Sequence, residues 1–125
     1  MLEEFPAITF KIDDESFTCY DLVKCMFRLS ETEIAIIKVM GEMEALTAQE
    51  VAEQIERDRA TAYRALEKLV SIGLIHKERR GREGRGYSNY YMKLARKDIL
   101  RKAEKRLDKC YTAIKSALMD SENDL

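Results

Sequence analysis

Residues 50–86 read EVAEQIERDRATAYRALEKLVSIGLIHKERRGREGRG. A short helix opens the stretch, starting behind Thr47. A polar turn follows at Glu56-Arg57-Asp58-Arg59. A second helix is expected over residues 60–72, stopping at Gly73. Then an apolar strand begins at Leu74-Ile75 and runs into a tip where Gly81, Gly84 and Gly86 alternate with arginines. Two helices joined by a tight turn, followed by a β-ribbon with a basic tip, make a winged helix-turn-helix, a mainly α fold with a small β-wing.

Each part of this reading has a local physical cause. Thr47 and Glu50 are spaced as a capping box, in which side chain and backbone satisfy each other's orphan donors. Val51, Ala52 and Ile55 then face inward. The second helix carries Ala62, Leu66, Leu69 and Val70 as its inner row, with Ala65 beside them. Small Ala62 permits close approach to the preceding helix. Gly73 supplies the left-handed residue that ends a helix, and Leu74 packs back over the last turn. Residues 74–79 form the first wing strand, 80–86 the tip, and 87–94 the returning strand, rich in tyrosine.

Outward from this centre, Ser30 and Glu33 form another capping box. The helix behind them sets Ile34, Ile37, Met40 and Met43 on one side, with Gly41 weakening its end. Residues 17–29 read as a further helix striped by Leu22, Val23, Met26, Phe27 and Leu29. Alternation at Ile8, Phe10 and Ile12 suggests a short strand, with an extended arm as the alternative. Downstream, one long helix is expected from 96 to about 119. Leu100, Ala103, Leu107, Cys110, Ile114 and Ala117 fall at 3-4-3-4-3 spacing, an a/d seam that calls for a partner helix. The expected division is an arm at 1–16, a winged helix-turn-helix domain at 17–95, a dimerisation helix at 96–120 and a frayed tail at 121–125.

The net charge of −1 over 125 residues conceals a gradient. Residues 1–55 hold four Lys/Arg against twelve Asp/Glu, a net −8. Residues 56–87 hold nine against five, a net +4, and residues 88–125 nine against six, a net +3. The basic excess thus begins with the second helix and the wing, as a nucleic-acid surface requires. Three cysteines (Cys19, Cys25 and Cys110) without a CxxC pair argue against a metal knuckle or a disulfide framework. One histidine, His76, and scattered acids offer no catalytic constellation, so an enzyme is not expected, nor a cofactor or metal. No stretch approaches the roughly 20 apolar residues of a membrane span, and the acidic N-terminus is unlike a signal peptide. The expected location is the cytoplasm.

The chemistry of the second helix points to double-stranded DNA. Arg57, Arg59, Thr61, Tyr63, Arg64 and Lys68 lie in its turn or on its outer side. Arginine makes bidentate contacts to guanine, and Thr or Tyr reaches phosphates or a thymine methyl. Arg79, Arg80, Arg82 and Arg85 on the wing suit an adjacent backbone or minor groove. The alternative for the helix charges is ordinary surface pairing, such as Arg64 with Glu67. Tyr87, Tyr90 and Tyr91 read as strand-packing residues before base-stacking ones, and His76 as a half-exposed strand residue.

At Asp58-Arg59-Ala60-Thr61-Ala62-Tyr63-Arg64-Ala65-Leu66, then Leu69 and Gly73-Leu74-Ile75, the chain resembles archaeal TrmB-like and MarR-like winged-helix regulators. The segments FRLSETEIAIIKVM and LTAQEVAEQI resemble their first two core helices, and the likeness covers about residues 20–95. It implies a homodimeric transcription regulator on a pseudo-palindromic operator. Sugar-sensing members carry a large C-terminal effector domain that these 125 residues do not show, so sugar binding is not expected to transfer. No small-molecule effector is read from the residues. The competing function is a winged-helix module whose helix face binds a protein, since one fold serves both uses; clustered arginine favours DNA.

Overall fold

A computed structural model describes residues 18–82, 84 and 86–121, with Arg82 described in its backbone only. The proposed strand at residues 8–12 and residues 122–125 of the expected frayed tail lie outside the described residues, whereas Ser121, the first residue of that expected tail, is helical. The elements are α1 (Cys19–Phe27), α2 (Glu31–Val39), β1 (Ala45–Leu46), α3 (Ala48–Ile55), α4 (Arg59–Ser71), β2 (Ile75–Arg82), β3 (Gly86–Lys93) and α5 (Arg96–Ser121). They divide into two compact units, Leu29–Ile99 on one side and Met1–Arg28 with Leu100–Leu125 on the other.

The Leu29–Ile99 unit is a winged helix. Both expected capping boxes are present: Ser30 with Glu33 at α2, and Thr47 with Glu50 at α3. α3 ends on Glu56, which takes a left-handed φ of 56°. Asp58 then caps α4 by accepting from the Thr61 N–H at 3.1 Å. The inner face of α4 buries Ala62, Ala65, Leu66 and Leu69. Its end is a Schellman motif: Gly73 N–H donates to the Val70 carbonyl and Leu74 N–H to that of Leu69, both at 3.0 Å. Gly73 holds φ at 82°, where a side chain would be strained.

Three strands form one antiparallel sheet in the order β1-β3-β2. In the wing, Lys77 pairs with Tyr91, Arg79 with Asn89 and Gly81 with Tyr87. β1 adds a short edge, with Leu46 opposite Tyr91. Buried Ile36, Met40, Val51, Leu66, Leu69 and Tyr91 are among the residues that fill the core under the helices. Roughly 1.5–3 kcal/mol attends each fully buried aliphatic side chain.

One local expectation is corrected. α2 stops at Val39, with Met40 as its cap in extended backbone. Met43 therefore does not extend the apolar stripe; it has a φ of 63° and is 82% exposed. Gly41 lies beyond the helix, so it does not weaken the last turn as expected.

The second unit holds α1 and most of α5. Thr18 and Asp21 make a third capping box, and Arg28 ends α1 in left-handed backbone. Val23, Met26, Ala103 and Cys110 are buried. The Arg106 guanidinium donates through Nε to the Met26 carbonyl at the end of α1 and lies over the Phe27 ring, 5.8 Å from its centroid. A cation at a helix C-terminus meets carbonyls that have no partner in the helix.

Candidate nucleic-acid interface

α4 turns two faces to different surroundings because its apolar residues recur at helical spacing. With Ala62, Leu66 and Leu69 inward, Arg59, Tyr63 and Arg64 are exposed on the outside, and Arg57 is exposed in the turn before them. Asp58 fixes the start of this face. Thr61 donates its hydroxyl to the Asp58 carboxylate as well as its N–H, and these bonds hold the Asp58 carboxyl below its usual range. Thr61 is thus half-buried and engaged in the cap. Arg64 reaches back to Thr61 Oγ1 at 3.5 Å, which keeps its guanidinium over the first turn.

Lys68 has a partner that helix spacing does not reveal. Its Nζ lies 2.8 Å from Glu33 Oε1 of α2. Glu33 is a buried charged residue, and it also serves the Ser30 cap. Burial alone would raise the Glu33 carboxyl. The hydrogen bonds from Lys68 and Ser30, with the Lys68 charge, outweigh burial and hold it low. Arg64 does not pair with Glu67; Glu67 instead binds Lys77 of β2 at 2.9 Å.

Arg79 and Arg80 stand on opposite faces of the ribbon, as neighbours in a strand must. Arg79 lies over the Tyr87 ring at 4.8 Å from its centroid. Arg80 lies over Tyr90 at 5.1 Å and pairs with Glu78 at 3.0 Å. Tyrosine here is a platform for arginine, whereas Tyr91 is a core residue, 1% exposed. Tyr90 is half-buried and Tyr87 is 68% exposed, so Tyr87 is not the packing residue expected of it; each ring holds a cation. His76 is exposed on β2. Arg85 and the Arg82 side chain lie outside the described residues.

Between α4 and the wing lies an open cleft of about 310 Å³, lined by residues that include Thr47, Gln49, Arg59, Tyr63, Tyr87 and Asn89. A second groove of about 280 Å³ follows the other flank of α4, past Thr32, Glu33, Thr61, Arg64 and Lys68. The outer face of α4 is the ridge between them. Gln49 and Asn89 are polar cleft residues that the sequence reading did not single out. Asn89 is found by counting the hairpin register back from the tip, where it falls opposite Arg79.

On α5, the seam residues divide. Ala103 and Cys110 are buried, Leu100, Leu107 and Ile114 are half-buried, and Ala117 is exposed. Tyr111, Leu118 and Met119 are more than 60% exposed. Among the described residues none of the three cysteines is in a disulfide bond. Among the described residues no His/Cys/Asp/Glu group is placed to hold a metal ion, and no helix is long and apolar enough to cross a membrane.

This surface can accept a polyanion with edges to be read: a helix face of arginine and tyrosine, a polar cleft, and a ribbon with stacked guanidinium groups. A family model described as "Sugar-specific transcriptional regulator TrmB" matches residues 23–117. An uncharacterised protein of Methanocaldococcus jannaschii is 32% identical over 104 residues, spanning 83% of this chain and 86% of that one. Among solved structures, a possible transcriptional regulator from Methanosarcina mazei Go1 superposes with a TM-score of 0.76 at 17% identity, covering 83% of this chain and 88% of that one. The ST1889 protein of Sulfolobus tokodaii gives 0.57 at 22% identity, covering 78% and 92%. Both structural likenesses are of fold.

Proposed function

The chain belongs to the TrmB family of transcriptional regulators, and from that premise we propose that it binds double-stranded DNA sequence-specifically, as a homodimer. The observation that carries this reading is the placement of Arg59, Tyr63 and Arg64 on the ridge of α4 with a polar cleft between that ridge and the wing. In the proposal α4 enters the major groove. Arg59, Tyr63 and Arg64 meet base edges, and Arg57 meets a phosphate. Thr61 holds the first turn through Asp58. Lys68 is paired with Glu33 and braces α4 against α2 beside this face. Arg79, Arg80, Arg82 and Arg85 take the flanking backbone, and one strand's phosphates run along the cleft.

The homodimer part rests on α5. Leu107 and Ile114 are half-covered within one chain, and Ala117, Leu118 and Met119 are exposed. An apolar seam of that length is normally buried against another helix, and a two-fold partner supplies one.

Selection of bound genomic fragments, followed by a titration at several salt concentrations, tests the reading. A regulator of this kind enriches a defined sequence and loses affinity steeply with salt, by about 0.9 log unit per log unit of salt for each phosphate neutralised. A protein-interaction module enriches nothing and binds no duplex at low salt.

A further inference from the structure

Glu67 occupies a place in this surface that no DNA contact requires. It sits on the third turn of α4 and is half-buried. Its Oε1 accepts from Lys77 Nζ at 2.9 Å, and its Oε2 from Lys77 Nζ at 3.2 Å and from the Tyr91 hydroxyl at 2.9 Å. Lys77 and Tyr91 face each other across one rung of the β2–β3 ladder. One carboxylate on α4 thus receives a donor from each strand of the wing at the same level. Tyr91 is also fixed from the other side, opposite Leu46 of β1.

We propose that Glu67 is a positioning residue that sets the angle of the wing against α4, so that the wing arginines and the α4 arginines engage one duplex together. The proposal rests on the DNA-binding reading above. A two-stranded ribbon twists and swings easily about its root. The root is where a small rotation is amplified: further outward on the same face, Arg79 stands opposite Asn89, and Gly81 opposite Tyr87. Apolar packing of Ile75 and Tyr91 holds the root in place but is not directional. Hydrogen bonds to a charged acceptor are directional and stronger than neutral ones. Two of them, arriving from different strands, restrain rotation as well as distance. The Lys77 bond, acting against burial and aided by Tyr91, keeps the Glu67 carboxyl below its ordinary range, so the acceptor is ionised at neutral pH.

The test is a comparison of wing substitutions in two backgrounds. In the wild type, replacing Arg79 and Arg80 with Ala lowers affinity for every duplex. If each holds one phosphate, the salt slope becomes shallower by about 1.8. In a Glu67→Ala background the wing is no longer aligned, so the same double substitution changes the slope by much less. A hydroxyl-radical footprint of Glu67→Ala keeps the backbone protection beside the α4 contact and loses the flanking wing protection. Tyr91→Phe with Lys77→Met removes both donors while keeping the buried ring, and reproduces the result if Glu67→Ala fails to fold. A wing effect of equal size in both backgrounds overturns the positioning role while leaving DNA binding intact. Absence of any duplex binding by the wild type overturns both readings.

Discussion

At Glu33 and Glu67, carboxylates between elements are ionised and bonded in the folded state, and both titrate below the ordinary value of 4.5. Their contribution to stability is therefore complete above about pH 4.5 and is lost as the pH falls through their lowered folded values. Urea titrations at pH 7 and at successive steps below 4.5 should show stability falling with acid, and Glu33→Gln should flatten that limb. Glu33→Ala should cost about 1–3 kcal/mol at pH 7, because Lys68 and Ser30 lose a charged acceptor. Glu56 offers a change of the opposite sign. It holds a left-handed φ of 56° without being glycine, a conformation costing an L-residue roughly 1–2 kcal/mol. Glu56→Gly should raise stability by about 0.5–1 kcal/mol after the entropy of the unfolded glycine is deducted. For recognition, Arg64→Ala should weaken binding to the selected site by roughly 1–3 kcal/mol and relax base preference. A gel-shift titration at fixed salt checks it, and unchanged affinity removes Arg64 from the reading set. The exposed face of α4 was legible because its inner residues recur at helical spacing. The partner of Lys68 was not, since spacing along a helix says nothing about an acid brought from another helix 35 positions earlier.

At the scale of elements, caps and stops were the most legible features. Ser30, Thr47 and Gly73 act within three or four residues, so local sequence contains nearly all of their physics. β1 was invisible for the same reason. Two residues cannot show a period, and Ala45-Leu46 is a strand only because β3 lies beside it. The end of α2 was misplaced because apolar spacing continues to Met43, while the backbone has already turned away at Met40. The tyrosines of β3 illustrate what a register adds. Their β propensity was plain, but the stacking of Arg79 on Tyr87 and Arg80 on Tyr90 depends on which residues the hairpin sets side by side. The wing should act as a backbone contact, since a glycine-bearing tip holds no rigid base-reading geometry. Replacing Arg80, Arg82 and Arg85 with Ala should lower affinity for unrelated duplexes alike and make the salt slope shallower. An intact slope, or loss at one operator alone, would contradict that role.

Across the whole molecule, the long C-terminal helix was legible in extent, and its seam residues are partly covered within one chain. Sequence periodicity marks a face that needs burial but does not say how much of it is covered from within, which is why buried Cys110 and exposed Ala117 share one stripe. Leu107→Glu should place charge in the seam and halve the mass seen by sedimentation equilibrium, while circular dichroism keeps its helical signal. A wild type monomeric at micromolar concentration would remove the homodimer from the account. Two copies related by a two-fold axis would present two α4 ridges to successive major grooves, roughly 34 Å apart along one face of the duplex. Hydroxyl-radical footprinting of the wild-type protein on a genome-selected fragment tests this directly. The expected result is two symmetry-related protected half-sites about one helical turn apart, each flanked by a weaker wing contact. No protection on any selected fragment, or uniform protection independent of sequence, would contradict the account.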